Sequence, residues 1–310
     1  MLNRISRRRK IRFSKGIDGR AVTVVLLFLV AVLFNIYNSA ISFFPQELIE
    51  GEEKNAEKYI EFEKISIDKN VGNGVKFELL NLKNTTFDPG NLKGSEEPAI
   101  LIYHTHTTEA YSQAPGCEYK EKFGKWRTND NKKNIVAVGE ALAEKLRALG
   151  YKVIHDTTDH EPPKLATAYS RSVLTMEKYK KQYPSIKIFI DVHRDAYSTN
   201  SNGTDFCEID GKRMAKLMFV VGTGEGATGA GFKEMPDFES NFALANKIST
   251  ELSGYSKSLV RKIRVKTGRY NQHISPMCLL VEVGHNNNTL FEALNSMDYL
   301  AKAMNKVFSG

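Results

Sequence analysis

Cysteine is scarce: three in 310 residues, Cys117, Cys207 and Cys278, an odd number with no CxxC spacing. That excludes a disulfide framework and a thiolate zinc site, leaving at most one oxidised pair in an exported domain. A Gly-Lys-Ser/Thr phosphate signature is absent, so the glycine-rich VVGTGEGATGAG at 220–231 reads as a loop and not as a phosphate cradle. Internal repeats and low-complexity tracts are absent as well. A basic surplus on the folded part is also missing. The chain carries a formal +8, but its first 20 residues hold eight basic side chains against one acid, leaving about +1 for everything after them. A nucleic-acid partner needs a basic face, and none is expected here. The local exception, RKIRVKTGR at 261–269, reads as a solvated strand face.

Charge is absent altogether from AVTVVLLFLVAVLFNIYNSAISFF at 21–44, which is long enough as a helix to cross a bilayer. With the basic cluster at 1–20 ahead of it, the positive-inside rule expects one transmembrane anchor, a cytoplasmic N-terminus and an extracytoplasmic remainder. A cleavable signal peptide is the rival, and Asn38, Ser39 and Ala40 make a poor cleavage site for it. Residues 45–74 are rich in Glu and Lys without a dense apolar face and read as a linker. From 75 onward the chain reads as the extracytoplasmic domain, with a first strand at 75–82 and a compact part beginning near Pro98.

The 41% hydrophobic content supports a core there. Short apolar runs at 99–103, 151–154, 186–192, 216–221 and 279–283 alternate with amphipathic ones at 133–149, 167–183, 238–252 and 289–308. That alternation predicts an α/β domain with a largely parallel central sheet flanked by helices.

Three of the predicted strands end in ionisable residues: YHTHTTE with His104, His106 and Glu109; DVHRDA with Asp191, His193, Arg194 and Asp195; LLVEVGH with Glu282 and His285. Four of the seven histidines fall at those ends, where such sheets gather functional groups. Two imidazoles and a carboxylate are the ligand set of a catalytic zinc with one open position. His106 and Glu109 form H-x-x-E, His193 would complete the set, and His104 is an alternative to His106. Glu282, in an otherwise apolar strand, is the candidate proton carrier. Each has a plainer reading: a strand-end histidine bonded to backbone carbonyls, Asp191 paired with Arg194, or Glu282 salt-bridged to Arg194 or Arg269.

YHTHTTEAY, DVHRDA and LLVEVGHNNNTL, in this order after a basic N-terminus and one span, resemble the stage II sporulation protein P family of endospore-forming bacteria. The resemblance implies a zinc amidase-like (phosphorylase/hydrolase-like) fold. It implies N-acetylmuramoyl-L-alanine amidase activity on peptidoglycan, with endopeptidase activity on cross-links, in engulfment during sporulation. Stage II sporulation proteins D and M are the partners it implies. His106 matches the first histidine ligand, His193 the second and Glu282 the catalytic glutamate. Where the wider amidase family has a glutamate before the first helix, this chain has Asn131, so Glu109 is the expected substitute. Arg194 or His273 is expected to steady an oxyanion or a substrate carboxylate. The rival functions are a membrane-anchored zinc peptidase of wall cross-links and a non-catalytic wall-binding adaptor.

Overall fold

The computed structural model describes residues 89–90, 92–196, 206–227 and 231–309. The expected anchor at 21–44, the linker at 45–74 and the strand at 75–82 lie outside the described residues. Among the described residues no helix is long and apolar enough to cross a membrane.

Within them the chain alternates as the apolar runs predict. It runs β1 (Ile100–Tyr103), α1 (Ile135–Ala148), β2 (Val153–His155), α2 (Ala168–Gln182), β3 (Ile188–Asp195), β4 (Phe206–Ile209), β5 (Lys212–Ala215) and β6 (Leu217–Gly222). It closes with α3 (Phe238–Tyr255), β7 (Arg264–Lys266), β8 (Cys278–His285) and α4 (Leu290–Phe308). Six strands form one sheet in the order β2-β1-β3-β8-β6-β7. All its pairings are parallel except β6 against β8, so "largely parallel" holds. Strands β4 and β5 make a separate hairpin, closed by Asp210 and Gly211 at φ 52° and 72°. Both turn residues sit in the left-handed region, as a two-residue hairpin loop requires.

The two faces of the sheet are covered unequally. Ile100, Ile102, Ile190, Val192, Phe219 and Val281 point into the main core, under α1, α3 and α4. Leu101, Tyr103 and Phe189 point the other way, against Met176 of α2. Strand alternation therefore assigns Asp191 and His193 to the α2 face and Val192 to the face beneath α1.

After β1 the chain leaves through α1 to one side of that strand, and after β2 it returns through α2 to the other. This reversal of strand order opens a crevice beyond the carboxyl ends of β1 and β3, where open α/β sheets place their ligands. Two of the three motif-bearing strand ends meet at that crevice, and β8 lies next to β3.

Candidate active site

His193 is the centre of the cluster. It is paired in register with Glu282 across β3 and β8, just before a bulge that shifts the ladder at Asp195. Parallel strands stand about 4.8 Å apart, so the two side chains are neighbours on the α2 face. The His193 ring is buried and lies between two carboxylates: Nε2 is 2.9 Å from Asp191 Oδ1, and Nδ1 is 3.5 Å from Glu109 Oε2. Burial alone would lower its pKa. The charges of Asp191 and Glu109 outweigh burial and raise it well above the usual imidazole range.

Asp191 is itself held on both oxygens. Thr105 donates its backbone N–H to Oδ1 at 2.9 Å and its hydroxyl to Oδ2 at 2.6 Å. Burial pushes this carboxyl up, but the His193 charge and the bonds from His193 and Thr105 bring it below its usual value. A carboxylate behind a histidine fixes the ring's orientation and raises its basicity, the usual support for a ligating imidazole.

Glu109 is fixed from two sides. Its carbonyl accepts the N–H of Ile135 at 2.7 Å, which ties it to the start of α1, and its Oε2 accepts the Arg194 N–H at 3.1 Å. Burial opposes ionisation, yet His193, Arg194 and His106 hold the carboxyl far below its ordinary value. His106 stands across from His193, ring centroids 5.4 Å apart and nearly perpendicular. Its Nδ1 is buried without a hydrogen-bond partner and lies 3.6 Å from Glu161 Oε1. Tyr169, at the start of α2, stacks parallel to His193 at 6.5 Å and meets His106 edge-on at 5.8 Å.

Glu282 Oε2 is buried and has no hydrogen-bond partner. Burial is the main cause that pushes this carboxyl up to about 8, with Asp195 and Glu109 adding to it and His193 and Lys266 opposing. Its expected salt-bridge partners are occupied elsewhere. Arg194 turns its guanidinium into backbone, donating to Ala110 O at 2.8 Å and Trp126 O at 3.1 Å. Arg269 donates to Gly231 O at 3.0 Å.

Other sequence-predicted residues are not brought to this cluster. His104 continues the Ile102 side of β1 and lies beneath α1, its Nδ1 bonded to Val192 O and its Nε2 facing His155 Nε2, both at 2.9 Å. Burial, with His155 next to it, lowers its pKa to about 3. His273 lines a separate cavity of about 350 Å³ with Glu177, Lys180, Lys181 and Glu234. Burial and Arg269 lower its pKa to about 4. His285 Nδ1 accepts the Asn287 N–H at 3.1 Å. Asp195 pairs with Arg261 at 3.0 Å and with Arg264 at 3.2 Å, which gives part of the basic 261–269 run a structural role. Asn131 Oδ1 accepts from Asn134 Nδ2, and Asn134 caps α1.

Two carboxylates are additions to the sequence reading: Asp191 behind His193, and Glu161 beside His106. Glu161 is buried, 2.8 Å from Arg127 Nη1, and bonded by the Thr108 hydroxyl. Burial opposes its ionisation, but the nearby His106, the Thr108 bond and the Arg127 charge hold it low. The alternation in DVHRDA could have identified Asp191; Glu161 comes from a loop with no motif of its own.

Whether these donors suit a zinc ion is a question of separations. Two ligands on a tetrahedral zinc stand roughly 3.4 Å apart, and two imidazoles on it have centroids about 5 Å apart. His193 Nδ1 to Glu109 Oε2, at 3.5 Å, and His106 to His193, at 5.4 Å, match both. Among the described residues no group of three or more His, Cys, Asp or Glu side chains closes to full ligating geometry. The donor chemistry, the burial and the unpartnered His106 nitrogen nevertheless fit the ion.

Fold and cluster together define an α/β domain with a histidine–carboxylate centre at the switch point of its sheet. The model of the stage II sporulation protein P family matches residues 36–305, and the chain belongs to that family. Stage II sporulation protein P of Bacillus subtilis (strain 168) is 23% identical over 236 residues, covering 73% of this chain. The chain spans about half the length of that relative, 55%. Among solved structures, N-acetylmuramoyl-L-alanine amidase AmiC2 of Nostoc punctiforme is 16% identical, with 70% of this chain and 97% of that one covered, at a TM-score of 0.42. The N-acetylmuramoyl-L-alanine amidase from Clostridium difficile 630 is 14% identical, with 69% and 97% covered, at 0.41. The CwlD amidase from Clostridioides difficile, solved with the GerS lipoprotein, is 13% identical, with 67% and 94% covered, at 0.39.

Proposed function

We propose that this chain is a peptidoglycan hydrolase of sporulation, a zinc-dependent N-acetylmuramoyl-L-alanine amidase that acts in engulfment. Family membership supports the setting. The observation that carries the chemistry is the juxtaposition of His106, Glu109 and His193 with Glu282, whose Oε2 is buried without a hydrogen-bond partner and whose pKa burial raises toward neutrality.

His106, Glu109 and His193 would hold the ion. Zinc in such a site supplies Lewis acidity toward an amide carbonyl and toward water. The chain's own residues do the rest. Asp191 keeps His193 in one orientation, Thr105 keeps Asp191 in place, and the Arg194 N–H does the same for Glu109. Glu282 moves the proton: it takes one from the attacking water as the C–O bond forms and gives it to the leaving nitrogen as the C–N bond breaks. A pKa near neutrality makes both protonation states accessible, as a group that takes and then returns a proton requires. The products are a carboxyl on the glycan's lactyl group and a free amine on the stem peptide. Endopeptidase activity at the same centre, an outward-facing single-pass topology, and work alongside stage II sporulation proteins D and M complete the proposal.

The test is to digest purified peptidoglycan with the full chain and identify the new amino termini. The expected result is free stem peptides beginning at the residue that was joined to the lactyl group, with release stopped by a chelator and restored by zinc. New termini only within cross-links would make the chain a peptidase. No new termini under zinc-replete conditions would leave a wall-binding role.

A further inference from the structure

One loop beside the cluster has no part in the proposed chemistry. Residues 120–125 are all exposed, and Phe123 is 66% exposed, the largest value among the exposed large hydrophobic side chains of the described residues. Phe123 and Trp126 both adopt left-handed backbone conformations, φ 64° and 57°, with Gly124 between them at 116°. For bulky side chains that conformation is a steric outlier, kept only where the surroundings impose it and concentrated at ligand clamps.

The surroundings do impose it. The Lys122 N–H donates to Arg127 O at 2.8 Å and closes the loop, while the Trp126 N–H donates to Glu121 Oε1 at 3.1 Å. Trp126 O accepts both the Ala110 N–H at 2.8 Å and Arg194 Nη2 at 3.1 Å. One residue further on, Arg127 reaches Glu161, which stands against His106. The backbone that carries the two rings is thus tied, at Trp126 and Arg127, to residues of the cluster. Lys122 and Lys125 lie over one face of each ring, with ammonium groups 4.9 Å and 4.3 Å from the Phe123 and Trp126 ring centroids.

Building on the hydrolase reading above, we propose that the 119–127 loop is a glycan subsite. The Phe123 and Trp126 rings stack on the apolar C–H faces of sugars in the strand whose lactyl amide is to be cut, and the lysines donate to the sugars' polar rim. A pyranose offers an apolar face with hydroxyls around its edge, and an aromatic ring with a flexible cationic donor over one face matches both parts. An exposed aromatic and lysine-bearing tip could also enter a membrane interface. The fixed attachment to Ala110, Arg194 and Arg127 favours a substrate that must lie in register with the cluster.

Trp126 is the chain's single tryptophan, so its emission reports on this loop alone. The experiment titrates the full chain with soluble glycan strands freed of stem peptides and, separately, with phosphatidylglycerol vesicles. The expected result is a change in Trp126 emission with glycan and none with vesicles. Phe123→Ala, unchanged in circular dichroism, should raise the half-saturating glycan concentration by about tenfold, the effect of losing one aromatic contact, and Phe123→Tyr should recover it. A response to vesicles and not to glycan, or a glycan titration that Phe123→Ala leaves unmoved, overturns the proposal. Because the readout needs no turnover, a chain that binds without cleaving would overturn the hydrolase reading alone, and one that cleaves with no emission change would overturn the subsite alone.

Discussion

Glu282 and Gly139 show how single positions carry the chemistry and its scaffold. In the metal-free chain the Glu282 carboxyl titrates near 8 when folded, against about 4.3 when unfolded. Between those values the folded state holds the extra proton, so this group's contribution to stability is full at low pH and is lost as pH rises toward 8. Glutamine does not titrate. In chelator, Glu282→Gln should therefore gain on wild type in urea midpoint between pH 5 and pH 8, and a constant difference would contradict a carboxyl raised by the burial of its unpartnered Oε2. Gly139 is small for a different reason. A Cβ there would meet His104 Nε2 at 2.5 Å and His155 Nε2 at 2.8 Å, in the line of polar contacts that runs on to Glu140. Gly139→Ala should cost about 1–3 kcal/mol in urea unfolding, and a neutral result would mean that the His104–His155 pair yields easily. These residues differ in how far sequence reveals them. His106, Glu109, His193 and Glu282 are legible because motifs at strand ends meet wherever the strands pair. His104 has the same motif context yet leaves the cluster, because two-residue alternation carries it on with Ile102 to the α1 side. Glu161 is not legible at all: its role depends on how a loop folds across Thr108 and Arg127.

At the scale of elements, α4 shows how a helix start secures the strand behind it. Thr289 and Glu292 form a reciprocal capping box, and Glu292 also meets Arg213 of β5 at 2.8 Å. Thr289→Ala should lower stability by about 1 kcal/mol in chemical denaturation, and a loss much smaller than that would show the cap to be redundant. Apolar periodicity locates the six-stranded sheet's strands β1, β2, β3, β6 and β8 and its helices to within a few residues, because all but the half-buried edge strand β2 are buried on a face that their pattern displays, and β2 is marked instead by the Gly150 turn before it. The three-residue edge strand β7 and the β4–β5 hairpin escape that reading. Both are short and partly exposed, and the hairpin's clearest mark is the Asp210–Gly211 turn. Strand order is not periodic information either, and it is the order that opens the crevice between β1 and β3.

At the scale of the whole molecule, the proposal is an outward-facing hydrolase tethered by 21–44. Protease added to spheroplasts should remove the folded domain, and protection until the membrane is broken would contradict that topology. The hydrolase reading rests on one group acting on the proton beside a histidine–carboxylate centre. The most direct test is the rate at which wild type and Glu282→Gln, loaded to the same zinc content, release new amino termini from purified peptidoglycan. The expected result is a loss of about 10²–10⁴-fold in the variant, the range for removing a general acid–base. A rate within a few-fold of wild type would remove Glu282 from catalysis and the proposed mechanism with it.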